Sequence, residues 1–213
     1  FLKSRKKFVE AESELRALVE ANPTDQTYGL ELVRLVGESR GPAAVRTELE
    51  RLLKSQPDAI DYRLASAELD SVEGKTKAAT DALEAIIASD ESKENIQKAR
   101  NLLASVFLRD NKIAEARSTV DTILAEDPKN ANALALSANL KIDANDTAGA
   151  ISDARAALSE APQSVPLLKL LSRAYQLSGQ PDLAEEALGQ AVKTSNFAPP
   201  IVLEYQSYLL GRG

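Results

Sequence analysis

Apolar residues along the chain recur at helical spacing, and the clearest run is Val165 to Leu177. Leu167, Leu168, Leu170 and Leu171, followed by Ala174 and Leu177, make one face of an α-helix continuously apolar. Ser178-Gly179-Gln180-Pro181 interrupts the run, with a glycine suited to a left-handed turn and a proline suited to a first helical turn. Asp182 to Val192 then resumes helical spacing, so the unit reads as helix–turn–helix. Breaks of the same kind stand at Gly74, Asn111 and Asn145, and at Arg40-Gly41. Glycine and asparagine are the residues that enter the left-handed conformation at low cost.

The pattern repeats. Prolines fall at Pro23 and Pro57, and again at Pro128 and Pro162, each pair 34 residues apart. Ala11, Val45, Ala79, Ala116, Ala150 and Ala184 form a second column with steps of 34, 34, 37, 34 and 34. Leu15, Leu49, Leu83, Val120, Ala154 and Leu188 follow four residues later and slip at the same place. Three columns with one period and one shared slip define an internal repeat.

These units resemble the tetratricopeptide repeat, which has this period, a small residue in the first helix and alanine in the second. The best match is Val165 to Ala198, where Leu171, Ser172, Tyr175, Gly179, Ala184, Leu188 and Ala191 occupy the signature sites and Asn196 replaces the closing proline. Val33 at a small-residue site, and Asp70 and Lys141 at aromatic sites, depart from the pattern and are expected to weaken their hairpins. The resemblance implies an all-α fold, a right-handed superhelical solenoid of helix–turn–helix repeats with first helices on the concave side. A single array is expected over 1–213: a lone second helix in 1–25, full repeats at 26–59, 60–96, 97–130, 131–164 and 165–198, and a lone first helix in 199–213. The longer step around Ser89 to Asn95 reads as a longer surface loop, or as a local change of pitch.

Composition supports a packed helical chain. Apolar residues make up 44%, enough for a sizeable core, while aromatics are only 4%. A net charge of -6 speaks against a general nucleic-acid binder, which needs a basic face to displace counterions. No apolar run is long enough to span a membrane. Histidine and cysteine are absent, which removes Ser-His-Asp and Cys-His catalysis and the usual zinc sites. No glycine-rich phosphate loop is present, so no cofactor, metal or catalytic residue is expected and the chain reads as non-enzymatic. The acidic pairs Glu185-Glu186 and Asp90-Glu91, and the basic run Lys3, Arg5, Lys6 and Lys7, read as solvated surface. Asn145 begins a glycosylation tripeptide, but a hairpin turn explains it unaided.

What remains is a binding surface. Counting helical turns puts Lys98, Asn101 and Arg109, then Asn132 and Asn139, then Lys169 and Arg173 on the concave side of successive first helices. Asparagines bond to a peptide backbone and cations take carboxylates, so these seven residues are candidates for holding a partner peptide. They also suit an ordinary solvated face. The tetratricopeptide clamp that grips acidic chaperone tails is not matched, because its sites here read Asn101, Ser105, Leu136, Pro166 and Leu170. The leading expectation is a scaffold that takes a peptide or helix of a protein partner in its groove. The alternative is an assembly module of a bacterial secretion or polysaccharide-export system, acting through its ends or convex face. Ile201, Leu203, Tyr205, Leu209 and Leu210 in the last helix, and Phe8, Leu15 and Leu18 in the first, suggest self-association through exposed terminal helices. The chain opens at Phe1 and reads as an excised fragment; cytoplasm and periplasm both stay open.

Overall fold

A computed structural model describes the backbone of residues 2–89 and 92–211, with side chains from residue 7 onward. The side chains of Lys3, Arg5 and Lys6, and the pair Asp90-Glu91, therefore lie outside the described residues. Twelve α-helices and no strands are found among the described residues. They fall into two compact units, residues 1–110 and 111–213.

The first unit contains α1 (Leu2–Ala21), α2 (Gln26–Arg40), α3 (Pro42–Ser55), α4 (Ile60–Val72), α5 (Thr76–Ser89) and α6 (Lys93–Arg109). Val19, Leu32, Val36, Leu49, Leu52 and Tyr62 form one core cluster, and Ala67, Ala79, Leu83, Ile86, Ala99, Leu103 and Val106 form the next. The second unit contains α7 (Ile113–Glu126), α8 (Ala131–Asp143), α9 (Thr147–Glu160), α10 (Val165–Leu177), α11 (Pro181–Thr194) and α12 (Pro199–Leu210). Its core is alanine-rich: Ala138, Ala150, Ala154, Ala157, Ala174 and Ala184 are all at 0% exposure, closed over by Leu167, Leu170 and Leu171. Small side chains let the helix axes approach, and each leucine buried beside them contributes about 1.5–3 kcal/mol.

Two turn types alternate, each with a local chemical cause. Between helices of different repeats, Asn22, Gln56, Asp127 and Ala161 each accept the amide three residues on, at 3.1, 3.2, 3.1 and 3.1 Å, with proline next after each acceptor. Proline presets the dihedral that the second residue of such a turn needs. The fourth residue of three of these turns also caps the helix that follows. Asp25 accepts from Thr27 N at 3.0 Å, Asn130 from Ala133 N at 3.0 Å and Ser164 from Leu167 N at 3.4 Å. Ala59 has no such side chain, and Gln26 of the preceding repeat instead accepts the Asp61 amide at 2.8 Å.

Within repeats, the chain turns through a left-handed residue, as the sequence predicts. Gly74, Asn111, Asn145 and Gly179 have φ of 76, 58, 61 and 71°. The amides of Lys75, Asp146 and Gln180 reach back to Asp70, Lys141 and Tyr175 carbonyls at 2.8, 2.8 and 2.9 Å, closing the last helical turn.

One expectation needs correction. The longer step near Ser89 to Asn95 is not all loop: Ser92 caps α6, and the helix starts at Lys93, so most of the added length continues a helix. Asp70 and Lys141, at aromatic sites, have charged partners on neighbouring helices. Arg46 of α3 donates to Asp70 at 2.7 Å and to Glu73 at 2.8 Å, while Lys141 and Ser137 of α8 both donate to Asp153 of α9, at 2.5 and 2.6 Å. Charge-assisted hydrogen bonds tie those helices where rings would otherwise pack.

Candidate functional site

The seven candidate residues lie on first helices of both units. In the first unit, Lys98 of α6 is exposed and sits 3.0 Å from Glu94 and 3.5 Å from Asp61 of α4. The hydrogen bond it donates to Glu94 and the nearby carboxylate of Asp61 hold its ammonium above the usual lysine range. Asn101 donates to the Gln97 carbonyl at 2.9 Å, while its Oδ1 is buried with no partner. Arg109 donates to Ser71 Oγ of α4 at 2.7 Å. Lys98 and Arg109 therefore share the face where α6 meets α4.

In the second unit Asn139, Lys169 and Arg173 come together, and Asn132 stays exposed outside the group. They rim a concavity of about 410 Å³ formed by α8, α10 and α12. Its floor is apolar, built from Ala135, Pro166, Leu167 and Leu170. The rim is polar: Asn139 on α8, Lys169 and Arg173 on α10, and Glu204 on α12. Repeat packing makes this arrangement, because three successive first helices stand side by side and each contributes the same face.

The cations are not idle. Lys169 Nζ pairs with Glu204 at 2.7 Å and Arg173 lies 3.9 Å from Asp143, so each links two neighbouring first helices. Asn139 donates to the Ala135 carbonyl one turn back at 3.1 Å, and among the described residues no hydrogen bond to its own side-chain oxygen competes with that role. A carboxylate ligand would have to exchange with Glu204 or Asp143, both partly exposed; such exposed pairs are worth only about 0–1 kcal/mol and exchange readily. Sequence reading missed Glu204. The period offers a signal, since Glu204 stands 34 residues after Leu170 and thus at a groove position of the next first helix.

Among the described residues, no group of three or more His, Cys, Asp or Glu is placed to hold a metal ion. No described helix is long and apolar enough to cross a membrane. Asn145 serves the α8–α9 turn at φ 61°, and Glu185 and Glu186 lie along the partly exposed face of α11.

Antiparallel helix pairs in register, with an apolar floor and polar rim between their first helices, define a helical-repeat scaffold for protein interaction. Tetratricopeptide-repeat models match residues 73–131, 101–167 and 141–199, which together run over more than half of the chain. The chain belongs to the tetratricopeptide-repeat family, whose fold generally serves protein–protein interaction and not catalysis. Solved structures agree on the fold. A tetratricopeptide protein of Parabacteroides merdae is similar with a TM-score of 0.76 at 14% identity, covering 98% of this chain and 80% of that one. A thermophilic tetratricopeptide protein of Thermus thermophilus gives 0.74 at 16% identity, covering 87% of this chain and 100% of that one. YrrB, described as having an unusual peptide-binding site, gives 0.52 at 14% identity, covering 91% and 97%. In sequence, no curated protein matches the chain.

Proposed function

We propose that this chain is a non-enzymatic scaffold that takes an extended or helical peptide of a protein partner against the α8–α10–α12 face. The observation that carries this is the concavity itself, an apolar floor of leucine, alanine and proline under a rim of Asn139, Lys169, Arg173 and Glu204. Leu167 and Leu170 offer dispersion and apolar burial to a partner side chain, and the asparagine carbonyl offers an acceptor to a peptide amide. The rim carries both signs of charge, so it sets orientation and register more than overall affinity. Peptide binding by a structural relative is compatible with this use of the fold. In the first unit, Lys98, Asn101 and Arg109 on α6 are proposed as a separate contact. Asn132, exposed on α8, is proposed to extend the second-unit contact.

The test is capture of partners by the wild-type chain beside the double variant Lys169→Glu/Arg173→Glu. Both positions are on the surface, so circular dichroism should show an unchanged helical fold. A partner held by the wild type and lost from the variant supports the groove. Equal capture by both would sink it and leave the chain ends or the convex face as the working surface.

A further inference from the structure

The turn between α11 and α12 departs from the other turns between repeats. Its third residue is Phe197, where the earlier turns carry Thr24, Asp58, Lys129 and Gln163, and all five are exposed. Polar residues suit such a position, whereas this turn holds a phenyl ring at 66% exposure. The backbone differs as well. Asn196 stands where those turns have proline, and its φ of 52° is one a proline ring cannot adopt; Phe197 follows at 59°. The amides of Asn196 and Phe197 return to the Lys193 and Val192 carbonyls at 3.0 and 2.9 Å, closing the end of α11.

This closure leaves the ring at one end of a concavity of about 660 Å³ that runs along α11. Its charged lining is three carboxylates, Asp182, Glu185 and Glu186, against one ammonium, Lys193. Tyr205 lies between the two ends, since a Cβ on Gly189 would stand 3.8 Å from its hydroxyl. The α11 face is open because second helices turn this side away from their first helices. The same side of α9, at Ala148, Ser152, Arg155, Ala156 and Ser159, is exposed with three further helices after it.

We propose that this concavity binds an extended segment of a protein partner that carries an apolar residue and an arginine, the apolar side chain on Phe197 and the guanidinium among the carboxylates. Charge selects the occupant and its direction. Among the described residues no three carboxylates are placed to hold a metal ion, so the acidic end suits a broader cation. A guanidinium is planar and weakly hydrated; its N–H groups bond to carboxylates in pairs, and it stacks on aromatic rings such as Tyr205. Lys193 repels a second cation at the Phe197 end, which fixes the segment's orientation. Glu186 and Lys193 are two helical turns apart, about 10 Å along α11. An extended chain covers that span in about three residues. The site is separate from the α8–α10–α12 face.

The test is NMR titration of the full chain with the synthetic peptide Leu-Ser-Gly-Arg, acetylated and amidated. Amide shifts are expected in α11 and over residues 195–205 and not around Asn139 or Arg173, which separates this site from the groove. Replacing the peptide's arginine with citrulline, its neutral isostere, is expected to weaken binding about tenfold. Replacing its leucine with alanine is expected to weaken binding about fivefold. In Glu185→Gln/Glu186→Gln the citrulline change should lose its effect while the leucine change keeps it. In Phe197→Asn, where asparagine preserves the left-handed turn, the reverse is expected. A peptide that gives no saturable shift in α11, or peptide changes whose effects these variants do not cancel, would overturn the proposal.

Discussion

At the scale of single residues, Gly29 shows how far local propensity can mislead. Glycine inside α2 looks like a weak point, since alanine in a helix interior is normally better by about 1 kcal/mol. A Cβ at Gly29 would stand 2.1 Å from the Tyr62 hydroxyl and 2.6 Å from its ring carbon. Tyr62 is fully buried and fills the space between α2 and α4, so the clash cannot be relieved cheaply. Gly29→Ala is therefore expected to destabilise by about 1–3 kcal/mol in thermal melting, and a gain in stability would contradict this packing. Glu48, in contrast, carries a prediction about pH. Burial alone would raise its carboxyl, but hydrogen bonds from Arg16 and Arg51 outweigh that and hold it below the ordinary glutamate value. A carboxyl that titrates lower folded than unfolded adds stability above its unfolded value and loses it as pH falls through the folded one. Glu48→Gln should thus melt lower than wild type at neutral pH, and the difference should shrink below about pH 4. A difference independent of pH would show that the ion pairs contribute nothing.

At the scale of elements, the turns were the most legible part of the chain. Proline after Asn22, Gln56, Asp127 and Ala161, and glycine or asparagine at 74, 111, 145 and 179, act through the dihedrals of one or two residues. No distant partner is needed, so the sequence alone predicts them. Asn145→Gly should be near neutral in melting, while Asn145→Ala should cost about 1 kcal/mol because alanine resists φ of 61°. Equal effects of the two would remove the left-handed turn from the account. The α5–α6 junction was less legible. Ser92 gives a cap and Glu94 an early acid, but the same residues compose a polar loop equally well, and the choice rests on how α6 packs against α4 and α5.

At the scale of the molecule, repeat proteins gain stability mostly between neighbouring repeats. Leu83→Ala should cost about 2–4 kcal/mol by opening a cavity in a site at 0% exposure. Its consequences should be local. Hydrogen exchange should accelerate in α4, α5 and α6, while α10 and α11 keep their protection. Uniform acceleration along the chain would instead show one cooperative unit.

The sequence by itself determined the period, the helix pairs and the left-handed turns within the repeats. Those depend on spacing and on residues that constrain their own backbone, such as Pro57 or Gly179. It also named most of the rim, because Asn139, Lys169 and Arg173 follow from counting helical turns. Tertiary structure alone decided what those side chains hold. Lys169 is paired with Glu204 and Arg173 lies near Asp143, each from a different helix, and no spacing rule states which carboxylate a long flexible cation will reach. It alone showed that Asp70 and Lys141 are balanced across helices, and that Tyr62 occupies the space Gly29 leaves. Local rules fix backbone dihedrals; which side chains meet depends on distances between helices that only packing sets.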